Sequence, residues 1–178
     1  MAPIAPFREF QVEHRRVRRL MRSMLADVAR RRRGRLAGPA LDRIRQGTDT
    51  LAYQFATHMT TEEQVLYPAL APELPDGVAR LSDLREEHRD LRSMLGRLHE
   101  LLRAPADVAR DEQIVVQVRD LAELLELHIE KEEAAVFGLV ARVLGPRDLA
   151  RVALRVATRR DDLERRLHSR RVEKGADS

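Results

Sequence analysis

His58-Met59-Thr60-Thr61-Glu62-Glu63-Gln64-Val65-Leu66-Tyr67 returns as His128-Ile129-Glu130-Lys131-Glu132-Glu133-Ala134-Ala135-Val136-Phe137, and this pair of segments decides the fold. Each reads histidine, three residues, a Glu pair, then an apolar run ending in an aromatic. Two further histidines, His14 and His88, stand 44 and 40 residues earlier. Their surroundings repeat as well: Glu13-His14-Arg15-Arg16-Val17-Arg18 matches Glu87-His88-Arg89-Asp90-Leu91-Arg92. Self-similarity at both places, in the same order, predicts two helical hairpins related by duplication. Two such halves would set equivalent half-sites face to face.

The breakers around these segments divide the chain into five helical stretches. Gly34 and Gly38-Pro39 end the first, Pro72 to Gly77 the second, and Pro105 the third; Gly145-Pro146 ends the fourth and opens the fifth. Short links between long rods predict an all-α, up-down-up-down four-helix bundle over residues 1–144. An additional amphipathic C-terminal helix is expected over 145–171 and a flexible tail over 172–178. Apolar residues follow the three-four spacing of one helix face. The stripes run through Phe7, Phe10, His14, Val17, Met21; Leu51, Phe55, His58, Glu62, Val65; Leu84, His88, Leu91, Leu95; and Leu125, His128, Glu132, Ala135, Leu139.

Four histidines and two glutamates therefore fall inside the predicted buried stripes: His14, His58, Glu62, His88, His128 and Glu132. Ionised carboxylates in a core are costly unless something compensates them, and a pair of metal ions would do so. Residues four apart share a helix face, so His58 with Glu62, and His128 with Glu132, can each grip a metal. Glu133 lies about 140° around the helix from His128 and Glu132 only about 40°, which favours Glu132. Imidazole with carboxylate suits iron, zinc or manganese. Ferritin-type sites use Glu-x-x-His instead, and no histidine here has Glu three residues before it.

Composition narrows the rest. The chain has 178 residues, 43% apolar and 35% charged, enough for one packed helical domain. The absence of cysteine excludes disulfides and thiolate metal sites. Lys131 and Lys174 are the only lysines among 33 basic residues, a bias read as compositional. Arg30 to Arg33 is the one real basic cluster, and elsewhere Arg is interleaved with Asp and Glu, which disfavours a nucleic-acid partner. No secretory signal and no run of about 20 apolar residues is present, so a cytoplasmic protein without a membrane partner is the expectation.

The order lone His, His-x-x-x-Glu, lone His, His-x-x-x-Glu resembles the hemerythrin-like (HHE cation-binding) family over residues from about 7 to 143. The resemblance implies a non-heme centre of two iron ions, with His14, His58, His88 and His128 as terminal ligands and Glu62 and Glu132 as bridges; manganese or zinc is less favoured. It also implies a small ligand: oxygen, hydrogen peroxide or nitric oxide. Oxygen-carrying members have a further histidine where this chain has Arg92, and they end in His-x-x-x-x-Asp. With an oxo or hydroxo bridge the irons here would keep open positions, which points to a reactive oxidoreductase or to an oxygen, redox or iron sensor without turnover.

Other residues carry weaker expectations. Arg18 and Arg92 either hold a carboxylate or ligand near the site or reach solvent on long stems. Glu13, Glu63, Glu87 and Glu133 could accept from the imidazoles but read more simply as surface charges. Tyr53 and Tyr67 could approach the site but read more simply as core packing, and His99 and His168 read as solvated. Leu149, Val152, Val156, Leu163 and Leu167 give the fifth helix an apolar face, for packing on the bundle or on a second copy in a homodimer.

Overall fold

The computed structural model describes residues 8–73, 77–138 and 144–176. Phe7, Leu139, the side chain of Ala135 and the end of the expected tail at 177–178 lie outside the described residues. Helix α1 spans Arg8–Ala29, α2 Gly38–Thr61, α3 Gly77–Arg103, α4 Val108–Lys131 and α5 Pro146–Ala176. No strand occurs among the described residues; a single bridging pair, Arg32 with Arg35, tightens the first connection. Helix α5 thus continues past Arg171, where the sequence reading ended it.

Helices α1 to α4 pack in a closed ring: α1 on α2, α2 on α3, α3 on α4, and α4 back on α1. This is the arrangement of an antiparallel bundle with short connections. Gly38-Pro39 opens α2 and does not end α1, because proline at the first helical turn gives up only an N–H that has no intrahelical partner. The connection before it turns through Arg33 and Gly34, both at positive φ (50° and 76°). Asp111 of α4 ties this connection down, accepting from Leu36 N at 3.0 Å and pairing with Arg35 at 3.1 Å. The Arg30–Arg33 cluster remains exposed. Asp107 caps α4, its side chain accepting from Arg110 N at 2.6 Å.

The core has two apolar clusters, and the histidines lie between them. Val17, Met21, Met24, Leu51, Leu91, Leu98, Val118 and Leu125 belong to one, and Phe10, Val65, Leu66, Tyr67, Leu84 and Phe137 to the other. Along every helix of the ring the polar position falls at the change from one cluster to the next. His14 stands between Phe10 and Val17, His58 between Phe55 and Val65, His88 between Leu84 and Leu91, and His128 between Leu125 and Val136. Helix α5 buries Val152 and Val156 in the second cluster, so it packs on its own bundle.

Both Glu-Glu pairs open a wider helical turn. Helix α2 passes into a π-helical turn at Glu62–Leu66, where Tyr67 N–H reaches back to the Glu62 carbonyl, and α4 does the same at Glu132–Phe137. Such turns insert one extra residue and re-aim the side chains that follow. Pro68 follows the first turn, where a missing N–H and crowding of the preceding turn favour a local departure from α-geometry. Gly138 stands at the matching place in the second copy, so proline is not the shared cause.

Candidate metal centre

All six residues singled out by the sequence meet at the centre of the bundle, each at most 8% exposed. The imidazoles form two facing pairs. His14 Nε2 lies 3.1 Å from His58 Nε2, and His88 Nε2 lies 3.0 Å from His128 Nε2. The two carboxylates span the pairs. Glu62 puts Oε1 at 3.1 Å from His58 Nε2 and Oε2 at 3.6 Å from His88 Nε2. Glu132 puts Oε2 at 3.3 Å from His14 Nε2 and Oε1 at 3.4 Å from His128 Nε2.

The outward face of every imidazole meets its own carboxylate on the neighbouring helix. His58 Nδ1 donates to Glu13 at 2.7 Å, and His88 Nδ1 to Glu63 at 2.8 Å. His128 Nδ1 donates to Glu87 at 2.9 Å, and His14 Nδ1 to Glu133 at 3.1 Å. These four bonds run α1 to α2, α2 to α3, α3 to α4 and α4 to α1, closing a circle around the bundle. A carboxylate on Nδ1 fixes the tautomer and orients the ring, as is usual for metal-ligating histidines. When neutral, a ring so held presents its Nε2 lone pair inward.

Each outer carboxylate in turn holds a cation. Arg18 reaches Glu133 at 3.2 Å, Arg92 reaches Glu63 at 2.8 Å, Lys131 pairs with Glu87, and Arg160 of α5 pairs with Glu13. The expectation that Glu13, Glu63, Glu87 and Glu133 are surface charges is therefore corrected, and Arg18 and Arg92 hold carboxylates. The missed signal lay beside the ligands, since each outer glutamate is adjacent in sequence to a histidine or glutamate of the inner set. Arg160 had no such signal: it lies 147 residues from its partner.

The inner set fits a cation. Four Nε2 atoms converge with carboxylate oxygens, and Glu62 Oε1, Glu62 Oε2 and Glu132 Oε2 are buried without a hydrogen-bond donor. Unsatisfied buried carboxylate oxygens are costly. His14, His58, Glu62 and Glu132 offer atoms close enough together to hold one ion, and so do His88, His128 and Glu132.

Without metal, protons take up part of this demand. Burial disfavours charge on His128, but the adjacent Glu132 carboxylate overrides it and raises the imidazole to about 9. Burial likewise opposes charge on His58 and His14. The Glu62 and Glu13 carboxylates raise His58 well above its ordinary value, and Glu132 and Glu133 raise His14. Burial works to raise Glu132, yet His128, His14 and His58 hold it well below the usual carboxylate range. Burial also opposes ionisation of Glu63, but hydrogen bonds from His88 and Arg92 bring it down to about 2.

Tyr67 is a member of the site as well as of the core. Its hydroxyl donates to Glu132 Oε1 at 2.5 Å and its ring stacks on His88. Burial, then the Glu132 and Glu62 charges, push the phenol well above its ordinary value, so it remains a donor. Tyr53 is half-buried. His99 is not fully solvated: it is partly buried and bonds Asp49 at 3.0 Å, whereas His168 is exposed. A cavity of about 20 Å³ lies against His14, His58 and His128, walled by Val17, Phe55, Met59, Leu125, Ile129 and Gln54.

Residues 5–140 match the family model of the hemerythrin HHE cation-binding domain. No curated protein and no solved structure matches the chain. The match takes in every residue of the inner set and all four ring helices, and stops before α5. With six convergent histidine and glutamate side chains that could hold metal and a family model covering most of its length, the chain belongs to the hemerythrin HHE cation-binding domain family.

Proposed function

We propose that the chain holds two iron ions and through them binds or reacts with oxygen, hydrogen peroxide or nitric oxide, in a cytoplasmic setting. The observation that carries this reading is the placement of Glu62 and Glu132, each with one oxygen toward the His14–His58 pair and the other toward His88–His128. Two histidines would hold each ion and both carboxylates would span them. Iron held by imidazole and carboxylate supplies Lewis acidity and electrons to a small ligand.

The protein's own contribution is to hold and to exclude. Glu13, Glu63, Glu87 and Glu133 lock the rings, Tyr67 holds one oxygen of Glu132, and the two apolar clusters keep water from both ends. The cavity beside His14 and His58 has room for about one water-sized molecule, which suits a diatomic or peroxide. Gln54 borders it with a buried Oε1 that has no hydrogen-bond partner, available to a ligand that donates.

Anaerobic reconstitution with ferrous iron, followed by separate exposure to oxygen, peroxide and nitric oxide, tests the reading. Optical changes on exposure with consumption of the ligand support an oxidoreductase, and optical changes without turnover support a sensor. A loaded protein whose spectrum responds to none of the three overturns the assignment of a small-ligand site.

A further inference from the structure

Helix α5 lies beyond the residues that match the family model, yet it reaches the centre. Three of the four outer carboxylates find their cation within the ring: Arg18, Arg92 and Lys131. The fourth, Glu13, pairs with Arg160 of α5, the only arginine or lysine bonded to it among the described residues. Arg160 is 7% exposed, which is unusual for arginine and sustained here by several contacts at once. Its second arm donates to Glu9 at 3.1 Å, and its guanidinium lies 4.8 Å from the centre of the Phe10 ring.

Two of these three contacts, with Glu13 and with Phe10, lead to His58. Glu13 accepts from His58 Nδ1, and Phe10 sets its ring edge-to-face against the same imidazole, 5.0 Å away at 77°. Val152 and Val156 seat the helix in the cluster that holds Phe10, Val65, Leu66 and Tyr67. One side of the helix therefore supports a ligand histidine and the turn that follows Glu62.

We propose that α5 is a working part of the metal centre, with Arg160 as a positioning residue for His58, so that metal occupancy and docking of α5 stabilise each other. The proposal rests on the di-metal reading above. Remote supports of a metal-ligating imidazole matter because they hold its tautomer and orientation before the ion arrives. Coupling of this kind is reciprocal: whatever strengthens the seat of α5 tightens the ion, and the ion tightens the seat by the same factor. Release of the helix would leave Glu13 without its cation and His58 free to turn. Among the described residues, the helix is the one element of the centre that could be withdrawn without opening the ring.

The test follows release of iron from the loaded full-length protein to a chelator, for wild type, Arg160→Gln, Arg160→Lys and Arg155→Gln. Arg155 is an exposed residue of the same helix and controls for loss of charge. Arg160→Gln should release metal about 10–100-fold faster, Arg160→Lys should recover much of the loss, and Arg155→Gln should match wild type. Hydrogen exchange on wild type supplies a second readout should Arg160→Gln fail to fold: amides from Val152 to Leu163 should exchange more slowly in the loaded protein than in the metal-free one. Equal release from wild type and Arg160→Gln, or equal exchange with and without metal, overturns the proposal while leaving the metal centre standing. A wild-type chain that retains no iron overturns the di-metal reading itself and this inference with it.

Discussion

At the scale of the residue, the inner ligands and the outer carboxylates do different work and should fail differently. His58→Ala or Glu132→Ala removes a donor from the inner set, and tight metal retention should be lost; full loading of either variant, read by metal analysis, would contradict the assignment. Tyr67→Phe removes the hydroxyl that donates to Glu132. It should destabilise the protein by about 1–3 kcal/mol, because a buried carboxylate oxygen loses its donor, and urea unfolding measures this. The raised imidazoles give a pH signature. His128, lifted to about 9 from 6.5, contributes stability to the metal-free chain that is fully present below pH 6.5 and lost as pH rises through about 9. The metal-free protein should therefore weaken between those limits, and metal loading at neutral pH should release protons in an unbuffered titration.

At the scale of the element, helix capping and the wide turns carry the geometry. Asp107→Ala should cost about 1 kcal/mol by removing the cap of α4, seen as a lower urea midpoint with metal loading intact, since the cap lies far along α4 from His128. The helices and their buried faces were legible in the sequence, because the three-four spacing of Phe10, His14, Val17 and their counterparts is a local property. The convergence of the six inner histidines and glutamates was legible for the same reason, as polar residues inside apolar stripes. The π-helical turns at Glu62 and Glu132 were not, since an i to i−5 bond depends on what the neighbouring helices accept. The roles of the outer glutamates were legible only as the less favoured alternative to surface charges. A glutamate next to a ligand reads as surface when one helix is considered alone, and finds its histidine only when the adjacent helix is in place.

At the scale of the whole molecule, the ring of four His–Glu bonds joins every helix to the next, so the centre and the bundle stabilise one another. Metal that binds the folded chain and not the unfolded one raises stability by mass action, and chelation should lower the melting temperature reversibly. Metal content per chain after anaerobic reconstitution and desalting tests the central claim most directly. About two irons per chain are predicted, one for each histidine pair with the carboxylates between them. Retention of less than about one per chain would contradict a paired centre.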